Sequence, residues 1–363
     1  MIATRMFLAA GVLVTLTLGA LSYDESPRAG APIRVLVYHD MEGLAGQDNP
    51  ATFRFNHQER YPEGRDYLVA DLNAVIAGLF DGGATQVDVV DAHGSGNPDP
   101  DVMTPKLDPR AKQVFRDKPF RQYVDLVAPN VYDAVVAVGM HAKTGSRGFA
   151  SHTYTLGIEF LINGKTITES ELVGYSWGRV GVPVIMVTGD DRLQKDLATM
   201  PWLQYVVTKQ ATAADSARLR PVADVHAEMR TAAKAALANR SQAKAMKLAG
   251  PIRAALRAVP PASLELMKDV PGVSYRDNTV DFTAKDFGAA YDGLVALVGV
   301  ASQSYARLYP ETLRGALGQA PGDSIVKAYS DRLFKRWMDV ESGRWKPAPP
   351  AAAAPGRRYH GAN

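Results

Sequence analysis

Three short apolar runs, each ending on residues that can grip a metal ion, constrain this chain more than any other feature. Arg34–Tyr38 (RVLVY) runs into His39, Asp40, Met41 and Glu42; Val87–Val90 (VDVV) runs into Asp91, Ala92 and His93; Asp133–Val138 (DAVVAV) runs into Gly139, Met140 and His141. Valine-rich runs of this length predict strands buried on both faces. Between the first two, apolar residues at helical spacing (Leu68, Val69, Leu72, Val75, Ile76, Leu79) predict a helix over Tyr67–Leu79, stopped by Asp81, Gly82 and Gly83. Further on, Ile158–Ile162 before Asn163 and Gly164 predicts a strand entering a hairpin turn. Glu171–Trp177 predicts a helix, and Val182–Val187 another buried strand ending at Gly189, Asp190 and Asp191. Strands alternating with helices imply an α/β fold, a mainly parallel sheet with helices on both faces. Ligands of such sheets sit beyond the carboxyl ends of the strands. Asp40, Glu42, His93 and His141 all fall there.

The pattern changes after residue 210. Ala211–Asn239 is alanine-rich and predicted mostly helical. Ile252–Ala258, Val273–Tyr275 and Thr279–Phe282 read as short strands, Ala284–Tyr305 as a helix, and segments between Tyr309 and Trp337 as helical. The expected organisation is an α/β metal-binding catalytic domain over 33–210 and a smaller α+β C-terminal region over 211–340. Residues 341–363, Pro/Ala-rich from Lys346, have nothing with which to build a core and are expected to be a disordered tail.

At the other end, Arg5 precedes the apolar run Met6–Leu18, followed by Gly19, Ala20 and the polar stretch Ser22–Arg28. A basic start, a short apolar stretch and small residues predict a signal peptide over 1–22 and a linker over 23–32. The run is shorter than the roughly 20 residues of a membrane span. The mature protein is therefore expected to be periplasmic or secreted, with no stable membrane association after cleavage. A net charge of +3 over 363 residues gives no electrostatic case for a nucleic-acid partner. With 0 cysteines, thiolate metal sites, disulfides and cysteine nucleophiles are excluded, so a metal must be held by histidine, carboxylate or carbonyl groups.

Two carboxylates one residue apart, Asp40 and Glu42, both reach a cation when the backbone curls over it, and Gly43 permits that turn. His93 or His141 alone fits a hydrogen-bonded structural histidine. Together, at equivalent strand ends beside an Asp-x-Glu, they point to ligands. Carboxylate oxygen mixed with imidazole nitrogen suits zinc, with manganese or cobalt as substitutes. Two ions sharing a carboxylate would polarise a carbonyl and generate a nucleophile. His152, in the glycine-bounded loop Gly148–Thr153, fits a general base or nucleophile as well as a solvated loop residue. Glu169 and Glu171 open the predicted helix, where Thr168 would cap; either can turn toward the site, and spacing leaves that choice open. Asp190 and Asp191 fit capping of the next helix better than a substrate ammonium. His39 is expected to point away from the site by strand alternation. His57 is expected on a loop, His226 on a surface helix and His360 in the tail. No Gly-x-Ser-x-Gly elbow or His-Glu-x-x-His occurs.

Over about Val35 to Lys209, and more weakly through Tyr305, the chain resembles the zinc-dependent D-aminopeptidases associated with bacterial dipeptide-transport operons. The resemblance is carried by DMEG at Asp40–Gly43, DAH at Asp91–His93, GMHA at Gly139–Ala142 and SH at Ser151–His152. INGK and TESEL between Ile162 and Leu172 and VPVIMVTGDD at Val182–Asp191 continue it. It implies a zinc metallo-aminopeptidase with two zinc ions per chain, held by Asp40, Glu42, His93, His141 and Glu169, with Asp40 bridging. It further implies His152 as the catalytic nucleophile or base. Peptides with N-terminal D-residues such as D-Ala would be substrates, and the assembly a ring-like homo-oligomer, a decamer, with active sites facing an inner chamber that admits short peptides. His39 before the acidic motif, the leader and the tail depart from the family pattern. Competing readings are a metal-dependent amidase or L-peptidase, and a non-catalytic periplasmic peptide-binding protein; a full ligand set with an additional histidine argues against the last.

Overall fold

The computed structural model describes residues 31–328, apart from 56, 95, 96, 98, 118, 119, 261, 269 and 302–307. The expected signal peptide, most of the expected linker and the Pro/Ala-rich tail lie outside the described residues, as does His360. Among the described residues no helix is long and apolar enough to cross a membrane.

In chain order the elements are β1 (Arg34–His39), α1 (Tyr61–Asp81), β2 (Gln86–Asp91), β3 (Ala111–Gln113), β4 (Ala134–Met140), β5 (Ile158–Ile162) and β6 (Lys165–Thr166). They continue with α2 (Glu169–Gly178), β7 (Val184–Asp190), α3 (Asp191–Asp196), β8 (Gln204–Ala213), β9 (Ser216–Leu219) and α4 (Val222–Ala238). The last are β10 (Ile252–Ala258), β11 (Ser274–Arg276), β12 (Thr279–Ala284), α5 (Phe287–Ala301) and α6 (Leu308–Leu317). Seven strands form a sheet in the order β3-β2-β1-β4-β7-β8-β9, parallel throughout except for the edge strand β9. The α/β fold expected from the alternating elements is thus the observed one. Successive side chains of a strand point to opposite faces, and here both faces are covered. Val35 and Val37 of β1 pack with α1 and α4 in one core, while Leu36 and Tyr38 join the other core with α2 and α5.

That second core also holds a five-stranded sheet in the order β11-β12-β10-β5-β6. It takes β5 and β6 from before residue 210 and β10, β11 and β12 from after it, with Leu256 paired to Phe160 in antiparallel register. Both sheets fall within one compact unit beginning at Ile33. The β5–β6 turn uses Asn163 and Gly164 with φ of 50° and 81°, the left-handed pair a two-residue hairpin requires.

Three segments differ from their expected form. Helix α1 begins at Tyr61, six residues before its apolar periodicity, because Pro62 and Glu63 suit a first turn. Ala211–Ala213 and Ser216–Leu219 lie in the β8–β9 hairpin, and helix starts only at Val222. Alanine's helix preference is a fraction of a kcal/mol per residue and yields to strand pairing at the sheet edge. Helix α5 starts at Phe287, where the Asp286 carboxylate accepts the Ala289 N–H at 2.9 Å. After a break at Gly318, whose φ is 89°, residues 319–328 are again helical.

Candidate metal centre

The chain leaves β1 for β2 on one side of the sheet and returns for β4 on the other, so strand order reverses between β1 and β4. A crevice opens at the carboxyl ends of such a switch point. Register aligns the exits: His39 pairs with Asp91 of β2 and with Val138 of β4. Beyond the last pairs, the Asp40 N–H donates to the Val138 carbonyl at 2.8 Å and the Gly43 N–H to the Gly139 carbonyl at 2.7 Å. This curls Asp40–Gly43 over β4. A Cβ on Gly43 would lie 1.9 Å from the Met140 carbonyl oxygen, so the approach is open only to glycine. From β8, Thr208 Oγ1 donates to the Gly43 carbonyl at 2.7 Å, and Lys209 Nζ donates to the Glu42 carbonyl at 2.7 Å and to Gln47 Oε1 at 2.8 Å. Lys209 is fully buried with its ammonium 4.0 Å from the centre of the Phe149 ring, and burial pushes its pKa down to about 7.

Asp40, Glu42, His141 and Glu169 are all buried, and the His93 and His152 rings open only slightly to solvent. His93 Nε2 is 3.5 Å from Glu42 Oε1. His141 Nε2 is 3.4 Å from Asp40 Oδ2 and 3.6 Å from Glu169 Oε1, and His152 Nε2 is 3.7 Å from the same Glu169 oxygen. The His141 and His152 rings stack, 4.0 Å apart and 10° from parallel. Each of these two rings donates its Nδ1–H to a carbonyl, His141 to Ala142 at 3.0 Å and His152 to Ala150 at 2.8 Å. In the neutral ring that leaves the lone pair on Nε2, facing the carboxylates.

Donor atoms gather in three overlapping triads, each within 4.8 Å: Asp40, Glu42 and His93; Asp40, His141 and Glu169; and Glu42, His141 and His152. Electrostatics reflect the crowding. Burial and the neighbouring Asp40 hold the Glu42 carboxyl well above its usual range. Burial would raise Asp40 too, but hydrogen bonding with Glu42 and the charge of the neighbouring His141 ring outweigh it and hold Asp40 low. Burial opposes charge on His141, but Glu169 and Asp40 overcome it and lift the imidazole to about 9. Burial and His141 together depress His152. Three carboxylates this close and this buried need compensating positive charge. His141 Nε2 has no hydrogen-bond partner among the described residues. Lone-pair nitrogens and carboxylate oxygens converging on one another fit a divalent cation between them.

The two glutamates of α2 have different surroundings. Glu169 Oε1 accepts the Tyr154 N–H at 2.6 Å, and Oε2 accepts the Tyr123 hydroxyl. Glu171 closes a capping box with Thr168 and accepts Thr199 Oγ1 at 3.0 Å. Asp190 caps α3 and also accepts the Phe149 N–H at 2.8 Å, while Asp191 accepts the Ala211 N–H at 2.8 Å, so both are committed to backbone groups. His226 lies on α4, 2.8 Å from the buried Asp71. Sequence reasoning missed Asp101, 3.0 Å from His93 Nδ1, and also Tyr123 and Lys209. Only Lys209 carried a signal, as a lone cation ending the strand-like run Tyr205–Lys209.

Residues 33–296 match a family model described as D-aminopeptidase. The D-aminopeptidase of Bacillus subtilis (strain 168) is 29% identical over 272 residues, covering 73% of this chain and 96% of that protein. The solved structure of the Zn-dependent D-aminopeptidase DppA from Bacillus subtilis, described as a self-compartmentalizing protease, superposes with a TM-score of 0.68 at 25% identity. That match covers 74% of this chain and 98% of the solved one.

Proposed function

This chain belongs to the D-aminopeptidase family, and from that premise we propose that it is an exported two-zinc aminopeptidase cleaving short peptides with an N-terminal D-residue. The observation that carries the two-ion reading is that the donors form overlapping triads, with Asp40, Glu42 and His141 each belonging to two. Asp40, Glu42 and His93 would hold one ion, and Asp40, His141 and Glu169 the other, with Asp40 bridging. The mixed oxygen and nitrogen donors suit zinc, with manganese or cobalt as substitutes. Bound zinc supplies a Lewis acid for the scissile carbonyl.

The chain's own groups do the rest. His152 is the catalytic base: with Nδ1 held by the Ala150 carbonyl, its Nε2 takes a proton from the attacking group and passes it to the departing amine. Tyr123 and the Tyr154 N–H hold Glu169 in orientation. The Phe53 ring packs nearly perpendicular to both the His93 and Phe149 rings.

D-alanine-containing fragments of the bacterial cell wall are a substrate source consistent with export. A ring-like homo-oligomer, a decamer in this reading, draws support from the self-compartmentalizing relative. The deciding experiment is metal analysis of the purified mature protein together with hydrolysis of D-Ala- and L-Ala-capped dipeptides. About two zinc ions per chain and D-selective release are expected. Two metals with L-selective cleavage would overturn the substrate assignment, and a protein that stays metal-free and inert after zinc addition would overturn the enzyme reading.

A further inference from the structure

An imidazole ligand must be fixed in two respects, its tautomer and the direction of its lone pair. His141 obtains the first from a backbone carbonyl. His93 obtains it from a carboxylate, Asp101, whose Oδ2 lies 3.0 Å from His93 Nδ1. Asp101 is itself 1% exposed, in the loop after β2. Its other oxygen accepts the Tyr61 hydroxyl, its carbonyl accepts Arg65 Nε at 2.9 Å, and the neighbouring Pro100 carbonyl accepts Arg65 Nη2 at 2.7 Å. Tyr61 and Arg65 stand four residues apart on α1, on one face of its first turns. The helix therefore grips the carboxylate, and the carboxylate aims the ring.

We propose that Asp101 is a positioning residue for the metal centre: braced by Tyr61 and Arg65, it fixes the tautomer and aim of His93 and thereby sets the zinc affinity of the half of the site that contains His93. This rests on the two-zinc reading above. An ionised carboxylate at Nδ1 keeps the proton there, leaves the Nε2 lone pair free and makes that nitrogen more basic. The competing account is that Asp101 only pins its loop to α1, in which case it would affect folding and leave metal affinity alone.

The test is stepwise competition of zinc against a chelator in the full mature protein, comparing wild type, Asp101→Ala, Asp101→Asn and Tyr61→Phe. His93→Ala identifies which step belongs to the His93 half. Asp101→Ala should weaken that step about 10- to 100-fold and spare the other. Asp101→Asn keeps an acceptor for His93 without the charge and should give the low end of that range, about tenfold. Tyr61→Phe, which leaves the Asp101–His93 contact in place, should weaken the step less than Asp101→Asn does. Unchanged zinc affinity in Asp101→Ala with only a lower Tm of the metal-free protein would overturn the proposal, as would an equal loss at both steps. Should Asp101→Ala not fold, Asp101→Asn carries the same decision. A wild-type protein that binds no zinc would instead overturn the two-zinc reading itself.

Discussion

Glu169 and Glu171 share a turn of α2 but not an environment, and the difference predicts opposite phenotypes. Glu169 faces His141 and His152, whereas Glu171 returns to Thr168 in the capping box. Glu169→Gln should lose at least one zinc ion while folding normally, because the amide is a neutral and weaker ligand. Glu171→Ala should keep the full zinc content and lose about 1 kcal/mol of stability through the broken cap. Metal analysis and urea denaturation of the pair would separate them, and a zinc-free Glu171→Ala with a metal-replete Glu169→Gln would reverse the ligand assignment. Gly43 makes a second single-residue case. Both nearest neighbours of an added Cβ are backbone, the Met140 carbonyl at 1.9 Å and the Gly139 carbonyl at 2.7 Å, so neither can swing aside. Gly43→Ala must lift the Asp40–Gly43 loop from β4. A stability loss of about 1–3 kcal/mol is expected, with weaker zinc binding; wild-type affinity would show that the loop is less constrained than its hydrogen bonds indicate.

At the scale of elements, what was legible in the sequence follows from the physics of each element. The apolar runs of β1, β2 and β4 are self-evident because both faces are buried. Parallel pairing at one register then brings their exits together, so Asp40, Glu42, His93 and His141 could be read as a set. His152 and Glu169 were legible as candidates only. Their position depends on the packing of the second sheet, whose β5–β10 pairing joins residues far apart in sequence, such as Phe160 and Leu256. No local pattern encodes such a pairing. Asp101 was invisible for a related reason: its role depends on Tyr61 and Arg65, which belong to another element. Strand β8 shows a contribution that burial alone would disfavour. Lys209→Met would keep the side-chain length but leave the Glu42 carbonyl and Gln47 Oε1 without their donor. Two newly unpaired buried acceptors should cost about 2–4 kcal/mol, read as a shift in the urea midpoint. An unchanged midpoint would mean that desolvating the ammonium already cancels what its hydrogen bonds contribute.

At the scale of the molecule, the centre lies where three features meet: the switch point of the parallel sheet, the loop bearing His152, and the first turn of α2 beside the second sheet. That loop is bent by left-handed residues outside glycine, Arg147 at φ 57°, Ala150 at 54° and Tyr154 at 64°. Two of these bends aim groups at the site, the Ala150 carbonyl at His152 and the Tyr154 N–H at Glu169. Left-handed backbone outside glycine costs of order 1 kcal/mol per residue, and the packing around the loop must hold it against that cost. A cation drawn to the converging carboxylates would tie the sheet, the loop and α2 together, so metal binding should be coupled to stability of the whole fold. Zinc at about a thousandfold above its dissociation constant would add about 4 kcal/mol to the folded state. Stripping the protein with a chelator should therefore lower Tm by several degrees, and returning zinc should restore it with saturation at two ions per chain. The loss should be largest in hydrogen exchange at the His152 loop and the start of α2, since both reach the centre from outside the parallel sheet. Uniform exchange across the molecule after metal removal would mean instead that the apo site is already rigid, its charge balanced by protons shared among Asp40, Glu42 and the histidines.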